Sequence, residues 1–266
     1  MRRLLIALLL LSPVASSADE TAENKYTPLF MKDMVGEGDF FAPWGVGVDI
    51  FTMNQPYSIK SLQFELPGVG DIDPSTIDVK NNVQNYDVKL DVWVTPFLNV
   101  FGLIGRVSAH TYVDLGNVTI PGLPVALPTL PVSYDGTVYG GGVNLVYGTD
   151  RWFAALNNTW TSTSLSGDFD SSVSSYTAQP RVGVIVDGWT LWGGGMYLDT
   201  TEKHSGTISL PVPGLPPVPF NVELESAKNW NYAVGIGKIF SPRATMFFEL
   251  GFGDRKHTLF NFTFRF

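Results

Sequence analysis

The sequence predicts an all-β fold, namely one transmembrane antiparallel up-and-down β-barrel of about ten strands, with eight or twelve strands as the alternatives. Three observations lead to this prediction. Apolar and polar residues alternate along long segments, few residues are charged, and short connections between the segments alternate with long ones. Helical periodicity is almost absent, so the apolar residues are expected on sheet faces and not on helix stripes.

The alternation is clearest between residues 84 and 95. Tyr86, Val88 and Leu90 would share one face of a strand, and the charged residues between them would share the other. A soluble β-sandwich shows the same pattern, so the number and length of the strands must decide. Candidate strands lie at 43–53, 84–95, 99–113, 132–148, 151–164, 173–187, 189–202, 223–240, 243–254 and 257–266. Several reach the ~9–11 residues that a membrane-spanning strand needs.

The connections between these segments have two lengths. Short ones with Pro, Gly or Asp-Gly, which favour tight turns, lie at 95–98, 148–151, 187–188 and 241–243. Long ones lie at 54–83, 114–131, 165–172 and 203–222. Transmembrane barrels have this layout, with short turns at one end and long loops at the other.

Composition narrows the functional classes. Charged residues make up 16% of the chain, against the ~25% typical of soluble domains. The absence of cysteine excludes disulfides, thiol catalysis and cysteine-ligated metals. The net charge of −8 argues against a nucleic-acid partner. No motif indicates a cofactor or a metal, and we expect neither.

The N-terminus has the three parts of a secretory signal peptide. Arg2 and Arg3 precede an apolar run from Leu4 to Leu11, and Ala18 ends a small-residue cleavage site. A membrane-anchoring helix is the alternative, but the run has about half the ~18–20 residues needed to span a bilayer. We therefore predict a signal peptide at 1–18, an N-terminal periplasmic segment at 19–42 and a barrel at 43–266.

The last strand carries a motif of its own. Phe260, Phe262, Phe264 and Phe266 alternate with Asn261, Thr263 and Arg265. This pattern resembles the C-terminal assembly signal of bacterial outer-membrane β-barrel proteins, although it does not single out one family among them. The resemblance implies export to a Gram-negative outer membrane, with outer-membrane lipid and the barrel-assembly machinery as partners. It also implies that the four Phe side chains face lipid.

Alternation predicts which side chains line the lumen. The predicted lumen-lining residues are Asp87, Lys89, Asp91, Arg106, His110, Gln179, Arg181, Glu249 and Arg265. Because a barrel of about ten strands is narrow, these mixed charges would either pair with each other or line a narrow polar path. Tryptophans near the short turns are predicted to form an interfacial aromatic girdle, namely Trp93, Trp152, Trp189 and Trp192.

Two long loops are apolar and rich in proline, and they resemble each other in sequence. Their predicted exposed apolar residues are Leu123, Val125, Leu127, Leu130, Leu215 and Val218. Exposed apolar patches commonly bind a partner. The leading hypothesis is therefore a narrow porin-like channel, or a binder of small or hydrophobic molecules. A structural or adhesive surface barrel acting through these loops is the first alternative.

An outer-membrane lipid-modifying enzyme or protease is the second alternative. His110 and Ser108 would share one strand face and could pair. Nothing in the sequence supplies the third group that would orient such a pair. We therefore expect no catalytic residues.

Overall fold

The computed structural model of the protein describes residues 26–35, 40–64, 74–114, 129–167, 169–209 and 217–266. Its strands are β1 (Trp44–Phe64), β2 (Asp78–Thr95), β3 (Leu98–Asp114), β4 (Leu130–Gly148), β5 (Trp152–Gly167), β6 (Asp170–Val186), β7 (Trp189–Ile208), β8 (Val218–Ser226), β9 (Trp230–Ser241), β10 (Ala244–Phe252) and β11 (Lys256–Arg265). Two short 3-10 turns cover Lys32–Met34 and Pro74–Thr76. Within these ranges, no helix has the length and apolarity needed to cross a bilayer.

The strands form one closed antiparallel sheet. From β1 to β7 each strand pairs with the next, and β1 pairs with β11 to close the ring. The predicted up-and-down barrel is therefore confirmed. The four short connections that the sequence predicted all lie at one end, called here the turn end, and the opposite end is the loop end. At the turn end, Asp187 and Gly188 both have positive φ, 52° and 73°, as a tight Asp-Gly hairpin requires.

The number of strands differs between the two ends. Along β7, residues 201–208 pair with β8 and residues 189–197 pair with β9. Together, β8 and β9 therefore form the single strand predicted at 223–240. The β10–β11 hairpin is short and ends before the loop end. Beyond its tip, β8 pairs directly with β1. In the described residues the wall has ten strands at the turn end and eight at the loop end.

Pro56 lies where β1 changes its partner. Residues 45–54 pair with β11, and residues 57–64 pair with β8. Proline has no N–H to donate, so it is tolerated in a sheet where no ladder hydrogen bond is lost. Its carbonyl still accepts a hydrogen bond from the Ala227 N–H at 3.4 Å. The sequence thus marks the point at which the wall narrows.

Several strands extend further towards the loop end than alternation predicted. β1 reaches Phe64 and β2 begins at Asp78, so much of the predicted loop at 54–83 is strand. The predicted long loop at 165–172 is wrong, since β5 ends at Gly167 and β6 begins at Asp170. Ser and Thr occupy both faces of these strands, and the apolar–polar alternation disappears although the pairing continues.

The outer surface of the barrel is apolar. Val88, Leu90 and Val182 are each more than half exposed and point away from the interior. All four C-terminal Phe residues lie on the same outer face as these side chains, and Phe262, Phe264 and Phe266 are exposed. A closed sheet with an apolar exterior and polar interior has the architecture of a membrane-spanning barrel.

The predicted aromatic girdle is half right. Trp152 and Trp189 are 41% and 51% exposed on the outer face. Trp93 and Trp192 are buried inside the barrel, at 8% and 7% exposure. In its strand, each inner tryptophan lies an odd number of residues from the outward-facing side chains, so it points inwards. Each also packs against aromatic rings inside the barrel.

Candidate functional site

The barrel interior is crossed by three groups of hydrogen-bonded polar side chains, one above the other. We call them the base layer at the turn end, the middle layer, and the upper layer near the loop end. Each is centred on a buried carboxylate: Asp91, Glu249 and Glu202, respectively, all at most 2% exposed. A buried carboxylate is stable only when several donors surround it, and each layer supplies them.

The base layer closes the turn end. Arg265 Nη2 lies 2.8 Å from Asp91 Oδ1. The Arg265 guanidinium also lies 5.8 Å from the ring centres of both Phe41 and Trp93, and those two rings are stacked. Its Nη1 donates to the Ala42 carbonyl at 3.5 Å. Residues before β1 thus complete this layer.

That same N-terminal segment is held to the barrel rim by its backbone. The Leu29 and Phe30 N–H groups donate to the carbonyls at the end of β2, at 3.1 and 2.9 Å. The Ala42 N–H donates to the Pro242 carbonyl at 3.0 Å. The predicted signal peptide at 1–18 lies outside the described residues, and the periplasmic position of 19–42 stays a prediction.

The middle layer ties Glu249 to three other strands. Arg181 Nε and Trp192 Nε1 donate to its Oε2 at 2.7 and 3.0 Å. Gln179 Nε2 donates to Oε1 at 3.4 Å, and His257 Nε2 lies 3.4 Å from the same oxygen. Because these partners come from β6, β7 and β11, the carboxylate of β10 links the wall across the interior.

The upper layer surrounds Glu202. Tyr57 donates to Oε1 at 2.5 Å, and Tyr134 donates to Oε2 at 3.1 Å. Asn81 Nδ2 donates to Oε1 at 3.4 Å. His204 Nε2 lies 3.2 Å from Oε2, and this ring is itself only 8% exposed.

A cavity of about 230 Å³ lies inside the barrel between these layers. Its wall carries charged groups on one side, including Asp49, Asp87 and Lys89, and a row of threonines on β5 on the other. Asp87 Oδ1 and Arg181 Nη2 are buried without a hydrogen-bond partner among the described residues. These groups are available to water or to a polar part of a bound molecule.

A second interior cavity, of about 90 Å³, is almost wholly apolar. Its lining is Ile59, Leu62, Ile77, Val79, Thr111, Val113, Val132, Tyr134, Phe169, His204, Phe220, Val222 and Leu224. Tyr134 also lines the larger cavity. The Tyr134 ring and the upper layer therefore separate an apolar chamber near the loop end from a mixed chamber below it.

Most of the predicted lumen residues point inwards. Five of them belong to the layers above, and Asp87 and Lys89 line the larger cavity. The prediction is wrong for Arg106 and His110, which are exposed on the outer face of β3. The inner face of β3 carries Phe101 and alternate residues after it. Near the loop end the outer face becomes polar, so polarity alone no longer tells inside from outside.

The predicted apolar loop residues have a different outcome. Leu123, Val125, Leu127 and Leu215 lie outside the described residues. Leu130 begins β4. Val218 was predicted to be exposed in a loop, but it belongs to β8 and is 2% exposed. This prediction was wrong because β8 begins earlier than the alternation indicated, and Val218 has inward parity.

Sequence reasoning missed several interior residues. The sequence predicts Glu202 at the end of a strand, and it predicts His204 and Asn81 in long loops. Asp87 points inwards, and so does every second residue before it in β2. Counting back in steps of two reaches Asn81, so alternation could have identified this residue. Arg255 lies in the connection between β10 and β11, where alternation does not apply. It could therefore not be identified in this way, although it is only 1% exposed.

A large concave surface lies on the outside of the barrel. This groove, of about 1000 Å³, runs over small residues such as Ala154 and Gly193 and is bordered by Tyr147 and Trp230. It lies within the apolar exterior, where lipid chains cover a membrane barrel. We therefore do not assign it as the functional site.

The architecture defines the class of protein: a small membrane-type β-barrel whose interior polar side chains are hydrogen-bonded to one another. No protein-family model and no curated protein matches the chain. Solved structures with a similar fold include the outer membrane protein OprG from Pseudomonas aeruginosa, at 10% identity, covering 85% of this chain and 98% of that one, with a TM-score of 0.46. The COG4313 outer membrane channel from Pseudomonas putida F1 matches at 13% identity, 87% and 100% coverage, and a TM-score of 0.35. The CymD monoaromatic hydrocarbon channel matches at 10% identity, 85% and 89% coverage, and a TM-score of 0.28. These likenesses do not identify a substrate.

Proposed function

We propose that the protein is an integral bacterial outer-membrane barrel that binds small apolar molecules near its loop end and passes them inwards. The apolar cavity of about 90 Å³ inside the loop end carries this proposal. Apolar cavities of ~150 Å³ hold a benzene-sized ligand. The cavity is thus suited to a small hydrocarbon group or to one ring after modest side-chain movement.

The tied layers favour selective binding over an open aqueous pore. At the base, Arg265, Asp91 and the rings of Phe41 and Trp93 contact one another inside the barrel. Charged side chains of both signs that are paired with each other offer no net field to attract one kind of ion. A solute would therefore pass by displacing side chains, and passage would be slow.

The C-terminal strand supports the proposed destination. Phe262, Phe264 and Phe266 are exposed on the outer face, where the barrel-assembly machinery could read them before the sheet closes. Outer-membrane lipid would then cover the apolar exterior. Replacing Phe266 with Ser should lower the amount of folded barrel recovered from outer membranes, whereas the protein refolded in detergent should be unaffected.

Saturable binding of fluorobenzene tests the function. The refolded protein in lipid nanodiscs should give a saturable change in the ¹⁹F NMR spectrum, and empty nanodiscs should give a linear one. Val113→Trp would fill the apolar cavity and abolish saturation. Tyr112→Trp is the matched control, because Tyr112 is the neighbouring residue on the outer face, at 47% exposure.

A lack of saturable uptake would overturn the proposal. If the wild-type protein and Val113→Trp take up fluorobenzene equally, with no saturable component above empty nanodiscs, the apolar cavity does not bind this class of molecule. Folding of each variant is checked by the heat-dependent mobility of the barrel in gels, so that loss of binding is separated from loss of structure.

A further inference from the structure

Ser171, His204 and Glu202 form a continuous hydrogen-bonded chain near the loop end. Ser171 Oγ lies 2.7 Å from His204 Nδ1, and His204 Nε2 lies 3.2 Å from Glu202 Oε2. The register places Ser171 directly opposite His204 on β6 and β7. Glu202 is two residues before His204 on the same inward face. These three residues have the nucleophile, base and orienting carboxylate of a covalent hydrolase.

The neighbours of these residues define their hydrogen-bond roles. Glu202 accepts hydrogen bonds from Tyr57 and Tyr134. In the His204 tautomer that donates Nε2–H to Glu202, Nδ1 is the nitrogen that accepts the Ser171 hydroxyl. Ser171 Oγ is also 3.3 Å from the Phe169 carbonyl. His204 is the nearer acceptor for the hydroxyl proton.

Two cavities of opposite character meet at His204. One is the apolar cavity, whose lining includes Phe169 and Phe220. The other is an open cavity of about 540 Å³ that includes Ser171, Lys203 and Asn221. His204 lines both. An ester with a short apolar acyl group would place that group in the apolar cavity, with its carbonyl carbon beside Ser171, whose partner His204 lines that cavity.

We propose that Ser171, His204 and Glu202 are a serine-esterase site for short apolar acyl esters, a catalytic function beyond the proposed binding and passage, with the acyl group in the same apolar cavity. Ser171 Oγ attacks the ester carbonyl carbon while its proton moves to His204 Nδ1. The bond from carbonyl carbon to alkoxy oxygen then breaks, and His204 returns the proton to the leaving alcohol. Water then attacks the acyl-serine carbonyl and gives a proton to His204; the bond from the acyl carbon to Ser171 Oγ breaks, His204 passes the proton to Oγ, and the acid leaves.

Glu202 is the positioning residue of this site. It holds the His204 ring through Nε2 and stabilises the imidazolium that forms in each step.

Hydrolysis of p-nitrophenyl butyrate by the refolded barrel in nanodiscs tests the proposal. The wild-type protein should hydrolyse it faster than empty nanodiscs, and Ser171→Ala, which removes the nucleophile, should reduce the rate to that of empty nanodiscs. The long palmitoyl ester should be a poor substrate, since the apolar cavity is small. Ser133→Ala is the matched control, because Ser133 Oγ lies 2.9 Å from His110 Nδ1 on the exposed outer face.

A second measurement does not depend on the folding of a variant. A fluorophosphonate probe should label the wild-type protein covalently, and mass spectrometry should locate the adduct at Ser171. Glu202→Gln should shift the pH profile of hydrolysis while the labelled residue stays the same. Activity retained in Ser171→Ala, or the absence of an adduct at Ser171 in the folded wild-type protein, would overturn the proposal. Either outcome leaves the fluorobenzene result untouched.

Discussion

Glu249 shows what one buried carboxylate does for this barrel. It is fully buried and accepts hydrogen bonds from Arg181 and Trp192 at 2.7 and 3.0 Å. Glu249→Leu would leave the Arg181 guanidinium buried without its anion, which costs about 3–5 kcal/mol. Urea unfolding in vesicles should show this loss. Glu223→Gln, which removes the exposed pair with Lys60, should leave the unfolding free energy nearly unchanged, because solvent screens an exposed pair; equal losses would contradict the prediction.

Gly235 is the residue that makes room for the Trp192 ring. A Cβ at this position would lie 2.1 Å from a Trp192 ring carbon. Gly235→Ala should displace the ring from Glu249 and lower stability by about 1–3 kcal/mol, as overpacking does. Trp fluorescence during unfolding measures both effects. At Gly193, a Cβ meets nothing within 4 Å, so Gly193→Ala should leave the spectrum and stability unchanged; a similar loss there would argue against the packing explanation.

At the scale of the element, Arg255 stabilises the junction where β8 ends and β9 begins. Its Nη2 donates to the carbonyls of Met196 and Asn229 at 3.1 and 3.2 Å. Its Nη1 donates to Gln55 Oε1 at 3.4 Å. These bonds satisfy backbone groups at a place where the ladder is interrupted. A strand junction without them would open more often, since each lost partner leaves a buried polar group unsatisfied.

Hydrogen exchange can detect that opening. In Arg255→Met, the Ala227 and Leu198 amides, which bond to Pro56 and Asn229 carbonyls, should exchange faster than in the wild-type protein. Amides in the middle of β3 should be unaffected. Lys256→Met, one residue along and exposed, is the control. Unchanged exchange at Ala227 and Leu198 would show that Arg255 does not hold the junction.

The elements differ in how far the sequence predicts them. β2 and β11 were predicted with the correct faces because apolar and polar residues alternate strictly along them. The last three residues of β5 and the first three of β6 were missed because Ser and Thr lie on both faces near the loop end, so no hydrophobic pattern marks the pairing. The division into β8 and β9 was also missed, since it depends on the length of the neighbouring hairpin and not on the residues of the strand itself.

Contacts across the interior were the least predictable part of the site. Alternation gave Glu249 and Arg181 as inward residues, but 68 positions separate them in the chain. Whether they meet depends on strand tilt and stagger around the closed ring. The same holds for Tyr57 and Glu202, which meet in the upper layer only because β1 and β7 both extend above the short hairpin.

At the scale of the whole molecule, the layers should make the interior selective for uncharged molecules. The chain has no cysteine, so a single cysteine reports one position. Ser175→Cys lies in the inner cavity, and Ser174→Cys lies on the exposed outer face. For each reagent, the quantity to compare is the reaction rate at position 175 divided by the rate at position 174. This ratio should be about tenfold or more lower for a sulfonate-bearing reagent than for N-ethylmaleimide, because desolvating the anion adds ~1.4 kcal/mol or more to the barrier.

Trp93→Ala, which opens the base layer, should reduce this difference between the two reagents, whereas Trp189→Ala on the outer face should not. Equal reactivity of the two reagents at position 175 would mean that the lumen is an open aqueous path.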